Sequence, residues 1–595
     1  MLVYIVASLL IPLLVQFLFL VFPISGGAYW ILFLATVGSL TYFFPQKKKD
    51  FVWQAVLFFA SFMVLSFLAG CWIQFYPTGE HVRDYNLISS SIHNPLNPMD
   101  PWLSKIPNHY YIFWFKWAAS LSYLFNLNTE NTYIVSFGMS FSFYITLLFI
   151  LFSKVFSFPR PKSLVMSLAV ATFSNLAGLL FYFRENAHWW GPSRIITGII
   201  NEFPVWSFYQ ADFHPHYATL SLPVLYLILS FLTLKMMGTR YQRLIFLTFL
   251  YFFFYRLFML ANPWEVIFLT LAYPGFLLKE IFFPPEQDII LKKESIIFLG
   301  IVGGLALCAC FLYPPMYAAD VKVKMVTSEI GRSAFSELFL HWGGWWSMGL
   351  LTIIISFFTK TYKKFDPEVA FFLVLSTLMI ILPEIVYVDD SYGPPYERMN
   401  FMFKHYMPTW TVTGIAVVML WGKLLEKKTF WIAVSLFFVL GSLFSLKTLP
   451  ERYREFSHLQ TRLDNADKEM PGIKETIKKF RHFPRGVVLQ SSINPYDYTS
   501  FIGTLSDKDL YLGWINHLLV LNKDYGLLME RQAELKRLYE EVDCQKKKDI
   551  FLKTEAHYLV YSLQEKKDYP QSVSTDFSCF KEIIHEGYNF IYTTN

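Results

Sequence analysis

Glu80 and Asp84 are the two carboxylates whose spacing best suits acid–base chemistry. They stand four residues apart, so on a helix both side chains lie on one face. They fall in the segment 74–111, which concentrates acidic, basic, amide and aromatic side chains in a mostly apolar chain. One carboxylate of such a pair can act as a general base while the other orients it or binds a metal ion. The alternative is a solvated pair on a loop.

The sequence Asp212-Phe213-His214-Pro215-His216 offers three potential metal ligands at alternate positions. On an extended strand these side chains would share one side, and carboxylate and imidazole both bind divalent cations. His214 and His216 are therefore candidate metal ligands. The proline and the helix expected after it fit hydrogen bonding at an interface, or contact with a phosphate, equally well. The cofactor thus stays unknown, with a divalent metal ion as one option.

Three basic residues are candidates for binding a phosphate. Arg194 lies in WWGPSR, and Arg398 and Lys404 lie in YERMNFMFKH. Arg presents a forked donor and Lys a compact charge, and both suit a phosphate or diphosphate. The alternative is that these side chains extend toward lipid headgroups.

Aromatic residues of the polar segments can stack on sugar rings, although Trp is also ordinary at a membrane interface. We expect Glu202, with the two histidines of the 212–216 segment, to complete a polar wall. The candidate substrate-binding residues are Trp102, Tyr110, Tyr111, Trp190, Glu202, Asp212, Trp264, Glu265 and Asn400.

The composition is typical of polytopic membrane proteins, so we expect transmembrane helices to position these residues. The 595 residues are 54% hydrophobic, and only 16% are charged, against roughly 25% in soluble domains. We expect the lipid bilayer as a partner and no nucleic acid. About thirteen apolar runs have the length of a spanning helix; they fall near 3–22, 27–45, 51–72, 133–155, 163–183, 216–236, 242–261, 264–282, 294–314, 341–359, 368–388, 406–424 and 429–448.

Every second connection between these runs is basic, as in 47–49, 154–162 and 360–364. Positive connections stay cytoplasmic, so the N-terminus is predicted inside and the segment from about 450 outside. This alternation requires that the run 111–127 does not cross the membrane. We predict an amphipathic helix at the outer interface, with Trp114, Trp117 and Tyr123 at headgroup depth and Lys116 reaching water. The alternative is a fourteenth span.

With this orientation the polar segments that carry the candidate residues all lie on the outer side of the membrane. This predicts one outward-facing site built from several segments. No P-loop, GxGxxG, HExxH or GxSxG motif is present in the sequence. An outward-facing enzyme without nucleotide-binding signals needs a pre-activated substrate. A lipid-linked sugar phosphate is such a substrate.

The region 450–595 alternates helical and strand patterns, with strands expected at 486–492 and 556–563, and predicts a small α/β domain. Cys544 and Cys579 lie in this region. If it is outside the cell they can form a disulfide, and the sequence leaves that pairing open.

Several motifs carry a family resemblance: GEHVRDYNLISSS (79–91), DPWLSKIPNHYY (100–111), WWGPSRII (189–196), INEFPVWSFYQADFHPH (200–216), NPWE (262–265) and PEIVYVDDSYGPPYERMNFMFKHYMPTW (383–410). With them the chain resembles the YYY family of polytopic membrane proteins, a domain of unknown function similar in architecture to C-type (GT-C) glycosyltransferases. Two departures stand out. Trp264-Glu265 replaces the usual Trp-Asp, and GWINHLLVLN (513–522) lacks the family's acidic and basic partners, which leaves that motif without an assigned role.

The resemblance implies a GT-C-like transmembrane domain over 1–449, with a large outer loop, 74–132, holding the catalytic acid, and an extracytoplasmic α/β domain over 450–595. We predict a multi-pass protein of the plasma or inner membrane. Its expected activity is an inverting transfer of a sugar from a polyprenyl-phosphate or diphosphate donor to a glycan, lipid or protein acceptor, with Asp84 or Glu80 as the base. The alternatives are a flippase of lipid-linked sugars and a non-catalytic scaffold of envelope assembly.

Overall fold

The computed structural model of the chain describes residues 2–18, 26–43, 48–73, 75, 80–96, 98–108, 110–184, 188–236, 239–283, 322–327, 331–389, 393, 395–456, 462–520, 524–574 and 576–594. Helices dominate up to residue 456. They are α1 (Leu2–Leu18), α2 (Gly26–Phe43), α3 (Lys48–Trp72), α4 (His81–His93), α5 (Phe113–Phe125), α6 (Thr129–Ile150), α7 (Arg160–Thr172), α8 (Leu176–Tyr182), α9 (Pro204–Gln210), α10 (Pro215–Ala218), α11 (Ser221–Met236), α12 (Arg240–Ala261), α13 (Val266–Phe282), α14 (Phe335–Phe358), α15 (Pro367–Ile381), α16 (Met399–Leu424) and α17 (Lys427–Phe456).

Shorter elements connect these helices. A π-helical turn (Leu151–Val155) extends α6, and 3₁₀ turns lie at Gly191–Ser193, Pro263–Glu265, Thr361–Lys364 and Leu382–Glu384. Strands β1 (Lys322–Met325) and β2 (Val386–Asp389) pair antiparallel. Capping residues explain several helix starts. Asn128 Oδ1 accepts from Asn131 N at the start of α6, and Asp366 caps α15 directly before a proline.

Among the described residues, seven helices are long and apolar enough to cross a membrane: Phe51–Gly70, Thr129–Val155, Pro215–Lys235, Arg240–Ala261, Phe335–Phe358, Pro367–Glu384 and Lys427–Arg452. An eighth span results if α7 and α8, which meet at an 80° bend, are counted together. The predicted run at 294–314 lies outside the described residues. The helical polytopic fold class is confirmed.

Three predicted boundaries differ from the structure. The run at 163–183 is broken, because Asn175 caps a new helix there. The run at 368–388 passes from helix through a 3₁₀ turn into β2. The predicted domain boundary at 449/450 falls inside α17, which continues to Phe456.

Helix α5 has 13 residues and is too short to span, as predicted, but its Trp side chains do not face lipid headgroups and Lys116 does not reach water. Trp114 and Trp117 are fully buried, and Lys116 is 3% exposed. The Lys116 ammonium donates to the carbonyl of Leu96 at 2.6 Å instead of reaching water. The indole N–H groups of both tryptophans have partners inside the protein, Thr219 Oγ1 and Ser8 Oγ. The aromatic pattern therefore marks a core helix that supports the polar loop before it.

The C-terminal region is a small α/β unit, as predicted. Its sheet has the strand order β4-β3-β5-β7-β6, in which β3 runs parallel to β4 and β5, and β7 runs antiparallel to β5 and β6. The strands are β3 (Val487–Leu489), β4 (Asp509–Leu510), β5 (Tyr558–Tyr561), β6 (Lys581–Glu586) and β7 (Asn589–Thr593). Its helices are α18 (Asp464–Glu469), α19 (Ile473–Arg481), α20 (Phe501–Leu505), α21 (Ile515–Val520), α22 (Tyr525–Glu540), α23 (Cys544–Lys553) and α24 (Leu563–Asp568), followed by a 3₁₀ turn (Pro570–Ser574).

Cys544 and Cys579, whose pairing the sequence left open, form a disulfide that ties the start of α23 to the segment before β6. The C-terminal unit is joined to the polar loop by backbone hydrogen bonds. Ser104 N donates to Leu510 O, Leu510 N to Pro101 O and Gly513 N to Trp102 O, at 2.9, 2.8 and 2.7 Å. These bonds extend the edge of the sheet at β4 with residues of the loop.

Candidate active site

Helix α4 presents the two carboxylates that the spacing predicts on one face. Glu80 immediately precedes the helix and Asp84 lies in its first turn. Both approach the same imidazole atom: His214 Nδ1 lies 3.1 Å from Glu80 Oε2 and 3.4 Å from Asp84 Oδ2. The Glu80 side chain is 32% exposed, whereas that of Asp84 is 1% exposed. The pair therefore faces a partly enclosed site.

The segment 211–214 brings a third carboxylate, Asp212, and the imidazole of His214 to α4. Ala211 adopts a left-handed conformation (φ 60°) that ends α9, and residues up to His214 are extended. Tyr133 holds this turn in place, because its hydroxyl accepts from Phe213 N at 2.9 Å. As a result one ligand atom each of Asp84, Asp212 and His214 lies within 4.8 Å of the others.

His216 does not join this group, so the predicted strand geometry of three alternating ligands is wrong beyond His214. Pro215 starts α10 and turns the next side chain away. His216 Nε2 lies 3.3 Å from Glu202 Oε2, which also accepts from Ser207 Oγ at 2.8 Å. The Glu202–His216 pair remains next to the cluster, because the two imidazole rings are 5.1 Å apart.

The charges of the cluster divide between its members. Burial raises the pKa of Glu80, but His214, His517 and Arg83 outweigh it and hold this pKa well below its ordinary value. Burial lowers the pKa of His214, yet Glu80 and Asp84 hold it well above its ordinary value. Burial and the neighbouring Asp84 charge raise the pKa of Asp212. Glu80 and His214 therefore form an ion pair, beside which Asp212 favours its neutral form.

A chain of aromatic residues links the cluster to a cation. Tyr110 Oη lies 3.3 Å from His214 Nε2, and the Tyr110 ring packs on Tyr111 with centroids 3.8 Å apart. Lys404 donates to Tyr111 Oη at 2.9 Å and lies over the ring of Trp264 at 5.8 Å. Burial raises the pKa of Tyr111, but the Lys404 charge outweighs it and lowers this pKa overall.

Arg194 lies between aromatic rings. Its guanidinium lies 5.2 Å from the ring of Trp190 and 5.5 Å from that of Trp206 and donates to Ser193 O and Oγ. Within the described part of the chain it forms no ion pair. Burial lowers its pKa, while the Glu202 charge acts in the opposite direction.

Arg398, predicted from its motif to bind a phosphate, is instead paired with a carboxylate of the protein. It donates to Glu384 Oε1 at 2.8 Å and to Gly331 O, and it is 4% exposed. Asn400, two residues further, is half-buried at the start of α16. Glu265 is buried beside Asn262, whose amide lies 3.3 Å from Glu265 Oε1, and burial raises the pKa of Glu265 well above its ordinary value.

Trp102 is 1% exposed, and its indole N–H donates to Thr504 of the C-terminal unit. Its ring is enclosed by that unit instead of facing open space, so the structure gives it a packing role where the sequence suggested sugar stacking.

Arg83 and His517, which sequence reasoning did not select, lie beside Glu80. Arg83 lies between Glu80 and Asp84 in the sequence, and this position was the signal that could have identified it.

The described residues thus define a helical membrane protein with a small α/β C-terminal unit and a buried carboxylate–imidazole cluster at their junction. The chain matches the family model described as "Uncharacterized membrane protein (DUF2298)" over residues 1–376 and 346–412, and it belongs to this family. This confirms the membership expected from the YYY-type motifs.

Among solved structures, the chain is similar to the Archaeoglobus fulgidus oligosaccharyltransferase in the apo form, with 11% identity, a TM-score of 0.34 and coverage of 91% of this chain and 74% of that one. It is also similar to ArnT from Cupriavidus metallidurans bound to undecaprenyl phosphate, with 12% identity, a TM-score of 0.32 and coverage of 92% and 99%. Among curated proteins, none matches the chain.

Proposed function

We propose that this protein is a membrane glycosyltransferase that transfers a sugar from a polyprenyl phosphate or diphosphate to an acceptor hydroxyl or amide outside the cytoplasm, with inversion. One observation carries the proposal. A buried carboxylate, Asp84, is connected through His214, Tyr110 and Tyr111 to a buried ammonium, Lys404. A group that takes a proton and a group that binds a departing phosphate thus belong to one site.

Asp84 is the better base of the two carboxylates. Neither of its buried oxygens has a hydrogen bond partner of good geometry among the described residues. Glu80 lies slightly closer to the imidazole, with Oε2 3.1 Å from His214 Nδ1 against 3.4 Å for Asp84 Oδ2. In the proposed reaction Asp84 accepts the acceptor's proton as the acceptor attacks the anomeric carbon. Glu80 keeps His214 oriented and charged. Direct attack with the lipid phosphate leaving from the opposite face inverts the anomeric configuration.

Lys404 and Arg194 would stabilise the charge that develops on the departing phosphate. Both are free of carboxylate partners within 4 Å in the described part of the chain, so an anion can take that place. Tyr111 and Trp264 hold the Lys404 side chain on two sides. The Glu202–His216 pair adjoins the cluster, since the rings of His214 and His216 are 5.1 Å apart.

The donor set of Asp84, Asp212 and His214 fits a divalent cation, since two carboxylates and an imidazole converge within 4.8 Å, and in that metal-bound state His214 would be neutral instead of paired as a cation with Glu80. These three residues would hold the ion, and its charge would assist binding of the donor phosphate. Equilibrium binding of Mn²⁺ to the purified protein, and its loss in Asp212→Asn, tests this part. Equal affinity in both proteins would contradict it.

The deciding experiment measures release of polyprenyl phosphate from a labelled polyprenyl-phosphate sugar by the purified protein. We expect Asp84→Asn to lower release by at least about a thousandfold, consistent with loss of a general base and its electrostatic contribution. Asp100→Asn is the matched control, because Asp100 is a buried carboxylate of the same loop that accepts from Trp102 N, which an amide oxygen can replace. Wild-type release by Asp84→Asn would refute the assignment.

The same assay separates the second candidate function. A flippase would move the labelled lipid across vesicles without cleaving it. Movement without release of polyprenyl phosphate would therefore favour a flippase over a transferase.

A further inference from the structure

The GWINH segment (513–517), which the sequence left without a role, is docked against the loop that carries the catalytic carboxylates. Gly513 N donates to Trp102 O at 2.7 Å. A Cβ atom at position 513 would lie 2.6 Å from the Trp102 side chain, so only glycine allows this approach. The next residue, Trp514, packs on Trp102 with ring centroids 5.0 Å apart. This contact fixes where the following turn of helix meets α4.

That turn places His517 directly over α4. His517 is 7% exposed, and its Nδ1 lies 3.3 Å from Arg83 Nη1. A guanidinium can only donate, so Nδ1 is the acceptor and carries no hydrogen. The proton of the neutral ring is then on Nε2, which donates to Tyr496 Oη at 3.0 Å. Both ring nitrogens are used, and the orientation of the imidazole is fixed.

Arg83 connects the fixed imidazole of His517 to the residues of the candidate active site. Its guanidinium lies over the ring of Tyr110 at 4.8 Å and over that of Trp102 at 5.6 Å. Tyr110 in turn contacts His214 Nε2, and Glu80 Oε1 lies 4.0 Å from His517 Nδ1. A continuous set of contacts therefore runs from the C-terminal unit to the imidazole that both carboxylates share.

We infer that His517 is a positioning residue: through Arg83 and Tyr110 it holds the first turn of α4 and His214 in the arrangement that transfer requires, so the C-terminal unit completes the site. The part of this inference that concerns turnover rests on the proposed function. The part that concerns the position of α4 does not.

The test compares His517→Ala with His517→Asn in the full-length protein in detergent micelles. Asn can place its side-chain oxygen near the position of Nδ1 and accept from Arg83, whereas Ala cannot. Tyr496→Phe removes the other partner of the ring without disturbing the core, since Tyr496 is 44% exposed. His585→Asn, on an exposed strand of the same unit, is the control. Hydrogen exchange of residues 81–93 and the kinetics of donor turnover are measured for each.

We expect His517→Ala to exchange faster in residues 81–93 and to lose about tenfold in kcat with little change in the donor KM, as for loss of a hydrogen bond to a charged group. His517→Asn should recover most of both, and Tyr496→Phe should show a smaller effect of the same kind. Wild-type exchange in His517→Ala, or equal losses in the Ala and Asn variants, would overturn the inference. If the wild type releases no polyprenyl phosphate but exchange changes as expected, the proposed function fails while the role of His517 in holding α4 stands.

Discussion

At the scale of single residues, the partners of three cations decide which of them can bind a phosphate. Lys404 and Arg194 contact hydroxyl, carbonyl and aromatic groups, and within the described residues neither has a carboxylate within 4 Å. Arg398 is already paired with Glu384. Lys404 is 7% exposed and Arg194 lies at an exposed position. A cation whose close partners are neutral favours an incoming anion, whereas a paired one would first have to lose its partner. Lys404 and Arg194 are therefore the donor-binding pair, and Arg398 stabilises the structure.

This division predicts opposite effects for two equivalent substitutions. Lys404→Met should weaken binding of polyprenyl phosphate by about tenfold or more, because a charge-assisted contact is lost, with little change in thermal stability. Arg398→Met should leave donor affinity close to that of the wild type and destabilise the protein by about 2 kcal/mol, because Glu384 loses a charge-assisted hydrogen bond while it keeps those from Ser333. Ligand titration and thermal unfolding of both variants check this. Unchanged donor affinity in Lys404→Met would contradict the assignment.

At the scale of elements, the bend between α7 and α8 positions the segment that carries Arg194. Asn175 caps α8, since its Oδ1 accepts from Gly178 N at 2.8 Å. Its amide also donates to Pro192 O at 2.7 Å, two residues before Arg194. Asn201 donates to the same carbonyl and accepts from Ile195 N. One break in a membrane helix therefore both starts a new helix and fixes a loop of the site.

We predict that Asn175→Ala weakens donor binding as well as stability. Loss of the cap alone costs about 1 kcal/mol. Asn128→Ala is a matched control, because Asn128 also caps a helix, α6, but lies at an exposed position without contact to the 189–196 segment. Asn175→Ala should lose more thermal stability than Asn128→Ala, because Asn175 is buried and its amide also donates to Pro192 O. Only Asn175→Ala should also bind polyprenyl phosphate more weakly. Equal donor affinity in the two variants would show that the bend does not position Arg194.

The elements also show what local sequence can predict here. Apolar runs predicted helices, and the four-residue spacing correctly placed Glu80 and Asp84 on one face. The aromatic helix α5 was misplaced, because a Trp-rich pattern looks the same at a membrane interface as in a core. His216 was misplaced because one proline changed the backbone periodicity. Arg83 and His517 were missed, since they are 434 residues apart in the chain and their contact exists only in the folded protein.

At the scale of the whole molecule, two sets of contacts define two opposite ends. Several predicted cytoplasmic connections meet one another: Lys235 lies 3.7 Å from Glu368, Lys423 lies 2.7 Å from Asp366, and Lys162 donates to Gly422 O. The loop with α4 contacts the C-terminal unit through its backbone. Because neither the loop with α4 nor the C-terminal unit crosses the membrane, both lie on the same side of it. The disulfide of the C-terminal unit favours the oxidising side.

This arrangement predicts the accessibility of single cysteines in whole cells. In a protein that keeps the disulfide but has Cys71, Cys308 and Cys310 replaced by Ala, a cysteine at exposed Asn128 should react with a membrane-impermeant maleimide from outside. A cysteine at exposed Lys364, between α14 and α15, should react only after permeabilisation, because the basic connections are predicted to lie in the cytoplasm. Labelling at position 128 only after permeabilisation would invert this topology. The carboxylate cluster would then face the cytoplasm, and with it the proposed transfer outside the cytoplasm would be excluded.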